Sequence, residues 1–347
     1  MREETPPGTI PMSPTIDTVM ATRRAASFTT RSIKASTKLQ GLRLAIAMTD
    51  LTTLEGKDSP EKVRSLCRKA LRPYERDEEV LGERLPSCAA VCVYPSMVPV
   101  AREALGNAGG HESSLCTVRV ASVATGFPSG QYPLSVRLRD TEQAIEAGAD
   151  EIDMVINRGA FLGGRFAEVG EEIREVTRVC AGSERAVHLK VILETGELET
   201  LDNVRRASDI AIANIRDGDF IKTSTGKVQP AATMPVTLVM LEAIRDEYLR
   251  SGRRIGMKPA GGIRAAKQAL HYLVMVHETL GGVEDVRQGR ERPGAWREIA
   301  RTVDTECPWL SPDLFRFGAS TLLNDLLRQL VKLRTGQYPA MFDFSEP

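Results

Sequence analysis

From Leu42 onward the chain alternates short β-branched and apolar runs with longer stretches in which apolar residues recur every three or four positions. The short runs, bounded by Gly, Pro, Asn or Asp, read as strands; the 3.6-residue period reads as amphipathic helix. Strands are predicted at Ala45–Asp50, Ala89–Tyr94, Thr117–Ala124, Glu151–Ile156, Ala186–Leu193, Asp219–Thr223, Ile255–Lys258 and Leu314–Phe317. Helices are predicted over Leu138–Ala147 (stopped by Gly148), Asn203–Ile215, Met234–Leu249 and Ser320–Arg334. This alternation belongs to a parallel sheet covered by helices, and eight such units make a closed (β/α)8 TIM barrel. The rival doubly wound sheet lacks its Gly-x-Gly-x-x-Gly after the first strand.

The barrel is predicted to be a single domain over residues 41–335, preceded by an extension of residues 1–40. Residues 1–17 are rich in Pro, Thr and Glu and are expected to be disordered. Ala21–Lys38 is basic and acid-free, and reads as a surface helix; Glu3 and Glu4 argue against a transit peptide. Charged stretches near 72–86 and 281–312 interrupt the rhythm as insertions in loops leading into strands. Residues 336–347 form a tail, expected to be mobile.

Charge changes the picture by exclusion. Lys plus Arg number 46 and Asp plus Glu 46, so nothing points to a nucleic-acid or anionic-membrane partner, and any anion site must be local. Six cysteines (67, 88, 92, 116, 180, 307) are scattered without a Cys-x-x-Cys, and the four histidines do not cluster with them. That usage predicts reduced thiols in a cytoplasmic protein and no metal site. No apolar run approaches the ~20 residues that span a bilayer. Thr225-Gly226-Lys227 looks like the end of a P-loop, but Ile221 stands where that motif needs its first glycine.

In a barrel of this kind chemistry sits at the C-terminal ends of the strands. Three strands end there in lysine: Lys190, Lys222 and Lys258. In strand four Ile152, Met154 and Ile156 alternate toward the helices, which turns Asp153 inward. A carboxylate among lysines is charge-compensated, so the bland reading is a buried ion network. The sharper reading is a machine for holding one amine neutral and nucleophilic. A free lysine near pKa ~10.4 is under about 0.1% neutral at pH 7, and lowering it to ~7 takes ~4.6 kcal/mol. A second ammonium ~5 Å away at effective dielectric ~20 contributes ~3.3 kcal/mol, and desolvation the remainder. Lys222 and Lys258 on adjacent strands suit that arrangement, though spacing leaves open which is the nucleophile.

Glycine-rich turns mark a second function. Lys258-Pro259-Ala260-Gly261-Gly262 ends strand seven, and Phe317-Gly318-Ala319-Ser320-Thr321 ends strand eight and opens a helix. Turns at these two positions beside a helix N-terminus form a phosphate cradle, with Ser320 as a plain helix N-cap the alternative.

At this point the chain resembles a known family. Asp50–Leu54, Val91–Pro95, Glu151–Asp153, Leu189–Leu198, Phe220–Lys227, Lys258–Gly262 and Phe317–Thr321 are similar, in order, to the motifs of deoxyribose-phosphate aldolases, most of all the longer form found in animals. The resemblance runs from about Leu42 to Leu330. It implies reversible cleavage of 2-deoxy-D-ribose 5-phosphate to acetaldehyde and D-glyceraldehyde 3-phosphate, with no cofactor. It also implies roles: Lys222 forms the Schiff base, Lys258 lowers its pKa, Asp153 relays protons and Lys190 assists at the carbinolamine. Asp50 and Thr52 would hold this network or the substrate from strand one. Thr225, Gly226, Gly261, Gly262, Gly318, Ala319, Ser320 and Thr321 would surround the phosphate of a phosphorylated sugar. The chain departs at Met257, where an aromatic is common, and in the long insertion before strand eight. Relatives also carry a C-terminal tyrosine thought to swing into the site. Tyr338 is the candidate here, against a tail docked on the barrel's flank. Assembly as a homo-oligomer is compatible with the chain but not specified by it. A different lysine-imine aldolase, or an idle barrel that only binds, are the alternatives.

Overall fold

A computed structural model describes residues 12–107, 118–185, 187–289, 307–340 and 343–345. Eight strands carry the molecule: β1 Thr49–Thr52, β2 Ala90–Val93, β3 Arg119–Val123, β4 Glu151–Val155, β5 His188–Ile192, β6 Phe220–Lys222, β7 Gly256–Lys258 and β8 Phe317–Ala319. They form one parallel sheet in the order β7-β6-β5-β4-β3-β2-β1-β8. Its two ends meet through the bridges Met257↔Phe315 and Ala260↔Gly318. Pro259, with no N–H to give, sits between those bridges and explains why the seam is not a continuous ladder. The predicted barrel is the observed one.

The helices in chain order are α1 Thr18–Phe28, α2 Ala35–Ala47, α3 Pro60–Leu71, α4 Asp77–Leu81, α5 Val98–Asn107, α6 Leu134–Glu146 and α7 Arg158–Leu162. They continue with α8 Phe166–Ala181, α9 Leu201–Asn214, α10 Met234–Ser251, α11 Ala266–Leu280, α12 Val283–Arg287 and α13 Leu322–Thr335. None is long and apolar enough to cross a membrane among the described residues.

Two strand assignments are corrected. Ala45–Ala47 belongs to α2, because Leu42, Ala45 and Ile46 share the buried face of a helix. A short apolar run carries no period that separates helix from strand, and β1 begins only at Thr49. Strand eight starts at Phe317 rather than Leu314. The residues before it, Leu314 and Phe315, are buried against β7 instead. The expected boundary at residue 40 falls inside α2. Residues 1–11, Cys116, Thr117, Ala186, the stretch 290–306 and Phe342 lie outside the described residues.

The extension is tied down where it is described. α1 packs on α10 and α11, and Arg31 pairs with Glu278 at 2.8 Å. Between α3 and β2, buried Asp77 accepts the Leu85 N–H at 2.9 Å and organises the 72–86 insertion. Near the end of the second insertion the Trp309 indole donates to the Ile255 carbonyl at 2.8 Å, plugging the start of β7. All three features lie away from the strand C-termini.

Inside the barrel the two sides differ. β2 and β3 turn inward small apolar side chains, Ala90, Cys92, Ala121 and Val123. That leaves space across the barrel for long charged side chains from β4–β7.

Candidate active site

Register places the lysines. Asp153 pairs with Lys190 across β4 and β5, and Lys222 with Lys258 across β6 and β7. Strand alternation points all four side chains inward at neighbouring heights. The Lys222 Nζ lies 2.7 Å and the Lys258 Nζ 2.9 Å from the same Asp153 Oδ2, while Lys190 reaches Oδ1 at 3.0 Å. Below them Lys258 also meets Asp50 at 2.6 Å, and Lys190 bonds Glu151. Arg316 closes the lower layer, with Asp50 at 2.6 Å and Glu151 at 3.1 Å. Every one of these side chains is buried.

The set holds four cations (Lys190, Lys222, Lys258, Arg316) against three carboxylates (Asp50, Glu151, Asp153). Burial penalises charge, so a fully buried set moves toward balance by losing its least supported proton. Burial pulls the Lys222 pKa down; Asp153 opposes it, and the neighbouring Lys258 charge adds to the lowering. For Lys258 burial acts the same way, but Asp153 and Asp50 override it and hold the ammonium charged. Lys190 is likewise held protonated against burial by Asp153 and Glu151. Asp153 stays ionised well below the usual carboxylate range, because its three lysines outweigh burial. The order of causes differs from the sequence expectation: desolvation leads for Lys222, and the second lysine comes after it.

Above the lysines opens a cavity of about 410 Å³ lined by the turns after β1, β6, β7 and β8. Of the three lysines only Lys222 lines it. Gly226, Gly261, Gly262, Gly318, Ala319, Ser320 and Thr321 form one wall, and Thr52, Thr53 and Leu54 another. Gly262 has φ +79°, a conformation costly for other residues. At Gly318 an added Cβ would stand 2.7 Å from the Ala260 Cβ and 3.2 Å from the Lys258 Cε. Among the described residues no protein acceptor takes the N–H groups of Gly262, Ser320 or Thr321. The N-cap of α13 is Thr321 rather than Ser320, and no side chain caps it. The amides and the helix N-terminus therefore converge on a place fit for an anion. Arg264, Lys62 and Lys227 edge it, the two lysines paired with Asp58 and Glu55.

Residues 44–326 match the model of the DeoC/LacD family aldolases. The chain belongs to that family. It is 43% identical to the deoxyribose-phosphate aldolase of Homo sapiens over 316 residues, 90% of this chain and 88% of that one. It is 38% identical to the deoxyribose-phosphate aldolase of Agrobacterium fabrum, over 83% of this chain and 90% of that one. The fold is shared with a putative deoxyribose-phosphate aldolase from Toxoplasma gondii, with TM-score 0.64 and 20% identity over 88% of this chain and 100% of that one. The chain is thus an aldolase-family lyase on a TIM barrel.

Against this family frame the predicted site residues divide into two groups. Lys222, Lys258, Asp153 and Lys190 meet in one network, and the glycine turns meet in one cavity wall. Asp50 stands apart from the cavity, deep between Lys258 and Arg316, so its place is with the ion network rather than the phosphate turns. Thr52 does line the cavity, and its hydroxyl donates to the Asp50 carbonyl at 2.9 Å. Thr225 lines the cavity too, but its N–H and hydroxyl are taken by the Glu194 carboxylate. Burial raises the Glu194 pKa, and Glu194 holds a left-handed backbone at φ +53°. Sequence reading missed Glu194, Glu151 and Arg316. Glu151 was findable, since it sits two residues before Asp153 and so shares its inward face. Arg316 gave no local signal.

The tail is docked where it is described. Lys332 Nζ lies 3.8 Å from the centroid of the Tyr338 ring on the flank of α13. Phe344 is buried against Tyr74 at 5.0 Å, and Ser345 accepts from Asn324 near the start of α13 at 3.3 Å.

Proposed function

We propose that this chain reversibly cleaves 2-deoxy-D-ribose 5-phosphate to acetaldehyde and D-glyceraldehyde 3-phosphate through an imine on Lys222. The carrying observation is that Lys222 alone among the inward lysines reaches the cavity, and that it is the least supported cation of the buried set. Identity of 43% to the human deoxyribose-phosphate aldolase supports the substrate.

The chemistry follows from the placement. The substrate phosphate is held by the amides at Gly262, Ser320 and Thr321, far from the reacting bond, which orients the aldehyde toward Lys222. Neutral Lys222 Nζ adds to the C1 aldehyde, and loss of water gives an iminium. Asp153, 2.7 Å from Lys222, is the acceptor and donor for the protons of these steps. Lys190 and Lys258 keep it ionised. The iminium draws electrons from the C2–C3 bond as the C3 hydroxyl gives its proton to Asp153 through a water, releasing glyceraldehyde 3-phosphate and an enamine. Protonation of the enamine carbon and addition of water return acetaldehyde and free Lys222. Six scattered cysteines without a Cys-x-x-Cys pattern support a reducing compartment such as the cytoplasm.

The test is to add deoxyribose 5-phosphate with borohydride and map the reduced adduct by mass spectrometry. An adduct on Lys222 is expected. An adduct on Lys190 or Lys258, or turnover of fructose 1,6-bisphosphate in place of the deoxy sugar, would overturn the reading.

A further inference from the structure

Arg316 enters the barrel from below, out of the segment before β8, and is almost wholly buried at 1% exposure. Its Nη1 donates to Asp50 at 2.6 Å, its Nη2 to Glu151 at 3.1 Å, and its Nε to the Pro312 carbonyl. Each of its three nitrogens is engaged, and a guanidinium does not titrate in this setting. Each carboxylate it holds is shared with a lysine: Asp50 with Lys258, and Glu151 with Lys190. Arg119 also touches Glu151 at 3.1 Å, but it reaches solvent and is matched by Asp313 at 3.2 Å. Arg316 is therefore the cation that tips the buried set to four against three.

We propose that Arg316 is a positioning residue for the aldol reaction: by locking Asp50 and Glu151 from below, it leaves Lys222 the one cation of this four-cation set without a carboxylate of its own. Lys222 is faced by Asp153 from β4, Lys258 from β7 and Cys92 from β2; Lys190 from β5 and Asp50 from β1 stand one contact behind, on Asp153 and Lys258. Burial pushes the Cys92 thiol up to about 11, so it adds no charge near neutrality. Without Arg316 the remaining three lysines match three carboxylates, and Lys222 keeps its proton to higher pH. Loss of Glu151 acts in the opposite sense. The guanidinium fork holds the two carboxylates through two separate nitrogens, whereas a lysine there would keep the charge on one.

This inference rests on Lys222 as the imine-forming amine, which the adduct mapping on the parent enzyme tests separately. The experiment here is the pH profile of kcat/KM for deoxyribose 5-phosphate, alongside borohydride trapping at each pH. Arg316→Met is expected to move the acid limb up by about one pH unit, and Glu151→Gln to move it down by a similar amount. The double variant should return the limb to within about 0.3 unit of the parent, and Arg316→Lys should leave it near its place. A limb that stays put in Arg316→Met while the rate falls equally at every pH would make Arg316 structural only. Shifts in the same direction in both single variants would also overturn the proposal. If Arg316→Met does not fold, Glu151→Gln and the double variant decide. An unmoved limb in Glu151→Gln overturns it.

Discussion

The mouth of the barrel and the layer beneath it use the same residue types to opposite ends. In the lower layer Lys190, Lys258 and Arg316 each touch two or more carboxylates within 4.0 Å. Those cations are firmly charged, and removing any one would take a close partner from at least two buried carboxylates. At the mouth Lys222 has only Asp153, which it shares with two other lysines. Its charge is the least supported, and the cavity gives its nitrogen somewhere to react. A lysine's chemistry here is decided by how many carboxylates it owns and whether it meets open space.

The sharpest break of this comparison is Lys222→Met. Imine trapping should vanish and the cleavage rate fall by about 10⁴-fold or more, as for loss of a covalent nucleophile. Because Lys222 is the surplus cation, the thermal midpoint should hold or rise; a large drop would place it among the structural lysines. Lys258→Met should behave differently on both axes. It removes a charge that opposes protonation of Lys222, so the acid limb of the rate profile should move up. Activity should fall about 10²–10³-fold near neutrality and recover partly at high pH, where the Lys222 amine is again neutral. It also leaves Asp50 and Asp153 short of a partner, and should cost about 3–5 kcal/mol in denaturant unfolding.

Gly262→Asp probes the cavity wall without touching the ions. Its Cβ would meet nothing closer than the Ala232 carbonyl at 4.0 Å, so the effect should be charge against phosphate plus backbone strain. KM for the phosphorylated sugar should rise about 10²-fold, with much less change for unphosphorylated deoxyribose. Equal losses on both substrates would make the turn structural. Gly318 is the poorer probe, since its Cβ would press on Lys258. The smallest effect is expected from Tyr338→Phe. With the ring on the flank of α13, exchange of acetaldehyde methyl protons with solvent should stay within about twofold of the parent. Slower exchange with intact trapping on Lys222 would mean that the tail leaves its dock and takes part.

Sequence alone determined the barrel, because strand and helix periods differ and eight alternations admit few architectures. It also determined that Lys190, Lys222, Lys258 and Asp153 face one interior, since alternation along a strand is local geometry. Glu151 was legible by the same rule two residues from Asp153, whereas the end of α2 was not, because a short apolar run has no period. Only the tertiary structure decided which lysine opens to the cavity, that Asp50 belongs to the ions and that Arg316 lies beneath them. Those facts depend on side chains from β1, β4, β7 and the segment before β8 meeting across the barrel, between residues as far apart as Asp50 and Arg316. Charge balance is a property of the closed interior, and no stretch of chain carries it by itself.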